Sequence, residues 1–326
     1  MKSLRQILCI AKTTALEGLQ QPICLLLLLS MVVLVTLGPL VQMFTFGEEG
    51  RLARDSGLAM MLMLGLFTVA FTSGFTMSDE LRRGTAAVTL TKPVHRLVFL
   101  LGKFLGVVIV LALFAWCGTV TTLLAERTAE HYIELPYYAD SMVDRFTGIG
   151  ALLGVGCALA IAAVLNFIKH YRFGLAAFVG VVVSQTVVLV LCGFITRAGT
   201  LTRFDLQVNR HIIPAAILVF MLLVLYAALA TALSTRLPTG ATLVTCGIVL
   251  FLGFLSGHIY SMYSSWLSAV FYTLIPDVQH FWMSDALANG GAIPLRYVTY
   301  AALYILTMAA LFLSAGYAML KSRDLA

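Results

Sequence analysis

The 326-residue chain reads as an all-α polytopic membrane protein with about eight transmembrane helices. Three observations carry that reading. First, only 11% of the residues are charged, 60% are hydrophobic and the mean hydropathy is +0.97, whereas a soluble domain carries about 25% charged residues. So little charge cannot cover a water-facing surface, which excludes a soluble globular domain, a disordered chain and a coiled coil. Second, eight segments reach the ~20 apolar residues that a helix needs to cross a bilayer. Third, these runs are continuous and do not alternate, which points to helices and away from barrel strands.

The elements follow in order. In residues 1–21, Leu4, Ile7, Leu8, Ala11 and Ala15 keep a helical spacing, with Arg5, Lys12 and Glu17 elsewhere on the wheel. That predicts an amphipathic helix lying in the membrane interface. About twenty residues precede the first apolar run and no A-x-A site closes it, so a cleaved signal peptide is not expected. The transmembrane domain then occupies 22–326, with spans at 22–45, 57–77, 97–124, 147–168, 173–195, 212–234, 240–260 and 297–320. Nearly all charge lies between them. Lys103, about a turn inside the third span, is expected to snorkel to the interface.

Basic residues set the orientation. With both termini cytoplasmic, the inside segments hold 13 basic and 4 acidic residues and the outside segments 8 basic and 11 acidic. That asymmetry predicts N-in and C-in, and it accounts for the net charge of +6 without nucleic acid as a partner. The segment 196–211, with Arg197, Arg203 and Arg210 on the expected outside, runs against it. Of the two long outer segments, 125–146 is acidic, with Glu126, Glu130, Glu134, Asp140 and Asp144. The other, 261–296, mixes Trp266, Tyr272, Pro276, Asp277 and Trp282 and reads as short interfacial or re-entrant helices.

The loop 78–103 is the most informative. Asp79 and Glu80 run off the second span, and Gly84 permits a sharp change of direction. Thr85 to Thr91 can form one or two helical turns, and Lys92-Pro93 ends them, leaving Pro93 in the first turn of the next helix. An ordinary basic loop is the plainer alternative. The run Glu80, Arg83, Gly84, Thr85, Leu90, Pro93, Arg96, Phe99, Gly102, Lys103 resembles the E-x-x-R-G-T…L-x-x-P-x-x-R-x-x-F-x-x-G-K pattern of the permease subunits of ABC-2 type ABC transporters. The likeness continues at Ser234–Gly240, at Pro276–Leu287 and at Lys321–Leu325, so in order it covers most of the chain.

That resemblance implies a six-helix permease core with an added helix pair at 147–195. Residues 1–21 become the elbow helix, 78–96 the loop that docks on a cytoplasmic ATPase, and 261–296 the re-entrant element near the path's exit. Glu80, Arg83, Gly84, Thr85, Pro93 and Arg96 would couple to that partner. The chain would form the translocation path, with export the expected direction. Its partners would be a cytoplasmic ABC ATPase subunit, a second permease protomer and membrane lipid, in the inner (cytoplasmic) membrane. No cofactor is expected in this chain, because ATP would be used by the partner. No G-x-x-x-x-G-K-[ST] occurs, and Gly102-Lys103 is followed by Phe104.

Enzyme signals are weak. Glu48-Glu49 could begin the E-E-x-x-x-R signature of CAAX-type intramembrane proteases, but Ala53 stands where arginine is needed and Arg54 comes one residue late. No H-E-x-x-H or G-x-S-x-G is present, the six histidines are scattered, and the six cysteines form no C-x-x-C. Neither catalytic residues nor a metal site are therefore expected. The competing functions are an intramembrane enzyme acting on lipid or peptide, and a non-transporting membrane anchor or sensor for an ATPase. Ser184, Gln185 and Thr186, at mid-span, are candidates for lining a path, with helix–helix hydrogen bonding the alternative. Gly102/Gly106, Gly150/Gly154 and Gly253/Gly257 each fit G-x-x-x-G, a pattern for close helix packing.

Overall fold

The computed structural model describes residues 2–41, 48–82, 95–129, 131–134, 139–142, 144–195, 209–262, 272, 275–284, 286, 291 and 293–322. Its long helices are α1 (Lys2–Leu19), α2 (Pro22–Val41), α3 (Glu49–Ser73), α4 (Arg96–Thr128), α5 (Arg145–Lys169), α6 (Phe173–Phe194), α7 (Ile212–Leu233), α8 (Thr239–Met262) and α9 (Leu295–Lys321). Among the described residues, eight helices are long and apolar enough to cross a bilayer, and they coincide with the eight expected spans. The protein is thus an all-α polytopic membrane protein. Among the described residues the one departure is an antiparallel strand pair inside the acidic segment, β1 (His131–Glu134) and β2 (Ala139–Met142), which pairs His131 with Met142 and Glu134 with Ala139.

Two spans begin or end beyond their apolar runs. The helix α3 starts at Glu49, eight residues before the expected 57, and α4 continues through Arg127 to Thr128. Both extensions carry charge. Their side chains are accommodated by pairing, since hydrophobic patterning alone would have ended the helices sooner.

Helices in the chain fall into two compact units. The first comprises Met1–Gly18, Gly65–Ala112 and Ile217–Ala326. Here α1 does more than lie on a surface. Ala11, Thr14 and Ala15 are buried while Leu4 and Leu8 are exposed. The buried face meets α4 where Gly102 and Gly106 remove its side chains: a Cβ on Gly106 would stand 2.5 Å from Thr14 Cβ, and one on Gly102 would stand 2.7 Å from Ile10 Cβ. The expected stripe is therefore split, with its small residues packed on protein and its leucines turned outward. Elsewhere in this unit Gly65 receives Leu223 of α7, and Gly316 of α9 lies 2.8 Å (as a Cβ) from Ala232.

The second unit comprises Leu19–Leu64 and Leu113–Ala216. In it α5 and α6 form a tight antiparallel pair. His170, with φ of 55°, closes α5 in the left-handed region, and its N–H donates to the Asn166 carbonyl at 3.1 Å. The pair is clasped at its far end by Arg127 of α4. The buried guanidinium donates to Asp144 Oδ2 at 3.2 Å, to the Cys192 carbonyl, and to the Ile195 carbonyl at 2.5 Å. Asp144 in turn caps α5, accepting from the Thr147 N–H at 3.1 Å and from its hydroxyl at 2.6 Å. One side chain thus joins the end of α4, the start of α5 and the end of α6.

Arg127→Ala should cost about 3–5 kcal/mol, because it strands a buried carboxylate. The measurement is thermal unfolding in detergent, with Thr147→Val as a milder comparison. An unchanged midpoint would show that Arg127 does not hold the pair.

Candidate functional site

The site is built on the two flanks of the 78–103 segment, both in the first unit. Of the expected coupling residues, Glu80 and Arg96 are described. Arg83, Gly84, Thr85, Pro93 and the turns expected at Thr85–Thr91 lie outside the described residues.

On the entry flank α3 widens into a π-helical stretch, Gly74–Asp79, followed by one turn at Glu80–Arg82. Such widened turns are concentrated at functional places in proteins. Gly74 lets the start of α8 approach: a Cβ there would lie 2.4 Å from Thr239 Oγ1. Ser234 bridges the hydroxyls of Ser73 and Thr242 at 3.5 Å each. The turn delivers Glu80 to Lys103 of α4 in a direct ion pair, and Lys103 Nζ also stands 3.8 Å from Glu17 Oε2 on α1.

Lys103 corrects the sequence reading. It does not snorkel to an interface but is only 4% exposed, with its ammonium 5.7 Å from the Phe99 ring centre and carboxylates on two other elements. A single buried cation therefore ties together α1, α4 and the end of α3. Burial pushes the Glu80 carboxyl above its ordinary range, and the opposing pull of Lys103 does not cancel that rise.

On the exit flank, Arg96 opens α4 and its guanidinium donates to the Leu320 and Lys321 carbonyls at 3.0 and 2.8 Å. Arg236, from the turn between α7 and α8, donates to the Met319 carbonyl at 3.1 Å and the Ser322 hydroxyl at 2.6 Å. Two cations thus sit on the carbonyl end of α9, where the helix dipole favours them. His95 stacks near Tyr317, with ring centres 6.2 Å apart. Between the flanks, Met77, Leu81, Phe99, Leu100 and Leu320 form one buried apolar cluster. Entry and exit are therefore anchored on the same body of side chains.

The mid-span trio lies in the second unit and divides among three roles. Gln185 is fully buried and its amide donates to the Ala151 carbonyl of α5 at 2.9 Å. Thr186 donates to the Val182 carbonyl and accepts from the Trp116 indole at 3.1 Å. Ser184 bonds back to the Val181 carbonyl and borders an apolar groove between α5 and α6. Two of the three thus join helices, which is the alternative reading of this trio.

Glu48 pairs with exposed Arg51 at 3.3 Å, while Glu49 is buried. The charged network that sequence reasoning missed stands nearby. Arg54 is buried 3.9 Å from Glu126, which accepts from the Asn209 amide at 3.0 Å. A charge at a helix end facing an acidic loop was the available signal. Among the described residues no three His, Cys, Asp or Glu side chains converge as a metal site.

The architecture defines a multi-pass α-helical membrane protein. No protein-family model, no curated protein and no solved structure matches the chain.

Lys103→Met should destabilise the protein by about 3 kcal/mol, since Glu80 loses its cation, and Glu80→Gln in the same chain should restore much of that. A raised carboxyl favours folding below the ordinary carboxylate pKa and loses that advantage as pH climbs through the raised value. Thermal unfolding across that window should fall with pH for the native chain, and the fall should be absent from Glu80→Gln alone. Parallel curves would remove Glu80 from the account.

Proposed function

We propose that the chain is the transmembrane subunit of an ABC transporter of the ABC-2 type, working as an exporter with both termini in the cytoplasm. On this reading it lies in the inner membrane, forms the translocation path with a second permease protomer, and takes its energy from a separate cytoplasmic ATPase. The observation that best supports the reading is the mounting of the 78–96 loop. A loop that only joins two spans needs no buried ion pair at one flank and no two-arginine clamp at the other. A loop that receives force from a partner needs both, because slack at either end would waste the stroke.

The two ends distribute force differently. Movement at Glu80 reaches α1 and α4 through Lys103. Movement at Arg96 reaches the α9 terminus and, beside it, the α7–α8 turn. ATP-driven approach of two such loops would bias the spans between inward- and outward-open states, as any two-state change requires a contact that differs between the states.

The test is affinity purification of the intact protein from its own membranes, followed by ATPase assay of the complex. An ATP-hydrolysing subunit should accompany it. Arg96→Ala, Glu80→Ala and Pro93→Ala should leave the protein inserted while cutting transport-coupled ATPase by about tenfold, a rise of about 1.4 kcal/mol in the barrier. Recovery of the pure chain without any ATP-binding partner would overturn the proposal.

A further inference from the structure

Within the first unit, the segment before α9 folds back onto α8. Gly253 and Gly257 make the seat: a Cβ on Gly253 would lie 2.6 Å from the Pro276 carbonyl oxygen, and one on Gly257 would lie 3.1 Å from Asp277 Oδ2. The Val278 N–H donates to the Gly253 carbonyl at 3.3 Å and the Gln279 amide to the Phe254 carbonyl at 2.9 Å. Asp277 is thereby held 6% exposed beside a cavity of about 410 Å³. That size falls among ligand-binding cavities, which span about 300–1,000 Å³.

The lining is unusual for its chemistry. Tyr272, Tyr297, Tyr300 and Tyr304 line the cavity together with Asp277, and no lysine or arginine is among the lining residues described. Three of the four tyrosines project from α9 at helical spacing. The ring of Tyr272 is stacked on Tyr260 at 4.9 Å, and the Tyr297 hydroxyl donates to the His280 carbonyl at 2.6 Å, so the wall is braced from behind. Asp277 accepts from the Gln279 N–H at 2.9 Å, and His280 Nδ1 stands 3.1 Å from its second oxygen. That imidazole is largely exposed and lines the same cavity as Asp277. Aromatic belts at a membrane surface explain tyrosines, but not a carboxylate held among them.

We propose that this cavity binds an organic ammonium cation, either a free molecule or the ammonium of a lipid headgroup. Aromatic rings attract a cation through their quadrupoles, and quaternary ammonium groups are a recurrent ligand of such surroundings. The carboxylate supplies the full opposite charge, and the rings supply a surface that an alkylated cation wets better than a metal ion does. The site does not depend on the permease reading, because it is defined by its own walls.

The test uses the full chain purified in maltoside detergent, with choline as probe and dimethylbutanol, its uncharged carbon isostere, as control. Calorimetry should detect choline and not the isostere. Asp277→Asn keeps the acceptor for the Gln279 N–H and should weaken choline by about tenfold or more, as should Tyr300→Leu, whereas Tyr300→Phe should stay close to the native chain. Tyr300 is an exposed ring, so its variants report on binding even if Asp277→Asn fails to fold. In nanodiscs, weaker choline binding with phosphatidylcholine than with an uncharged galactosyl diacylglycerol identifies the lipid headgroup as the resident, and equal binding identifies a free cation. Equal affinity for choline and dimethylbutanol, or native affinity in both Asp277→Asn and Tyr300→Leu, would overturn the proposal.

Discussion

Between helices already solvated by lipid there is no hydrophobic gain from contact, so association rests on backbones coming close enough for dispersion and short hydrogen bonds to act. This protein meets that constraint with glycines. Gly102 and Gly106 admit α1, Gly253 and Gly257 admit the Pro276–Val278 segment, and Gly154 admits Val188 of α6, which a Cβ would meet at 3.2 Å. At Gly102, Gly106 and Gly253 the incoming group is a β-carbon or a backbone oxygen, so it has little freedom to give way. The positions of the amphipathic helix and of the segment before α9 both follow from these seats.

Charge is the second constraint, and it is met by sharing. Lys103 serves two carboxylates, Arg127 serves one carboxylate and two carbonyls, and Arg96 and Arg236 divide the last carbonyls of α9. For Lys103 and Arg127, which are buried, the cost of burial is set against contacts from more than one direction. Removing any one of these side chains would leave several acceptors unmet at once, which makes the helix ends the least replaceable parts of the structure.

The spans were legible because twenty continuous apolar residues have almost no other interpretation. The glycine pairs were legible as packing positions, but not their partners: nothing in Gly102 or Gly106 specifies α1 over another helix. What could not be read was where charged helix ends go. Hydropathy stops the second span near residue 57, yet the helix runs back to Glu49 because Arg54 has Glu126 to face, and that pairing exists only in three dimensions. Lys103 was misread for the same reason. Snorkelling is the expectation for a lone lysine, and the two carboxylates that hold it inside come from distant parts of the chain. The paired strands His131–Glu134 and Ala139–Met142 gave too short and too acidic a pattern to separate from loop. At the candidate site, Glu80 and Arg96 were singled out only by the resemblance that the 80–103 run carries, while Arg236 and the α9 terminus, which meet Arg96 in three dimensions, carry no local mark.

The helix α9 has 27 residues, so at 1.5 Å per residue it is about 40 Å long. One end is gripped by Arg96 and Arg236, and the other carries Tyr297, Tyr300 and Tyr304. Mechanically this is a rod with a handle. Unwinding at the gripped end would cost the guanidiniums their carbonyls, so a small turn or slide imposed there is passed along the rod instead of being absorbed in fraying. The tyrosine wall at the far end then shifts with the handle, so the shape of the cavity follows the position of the α9 terminus.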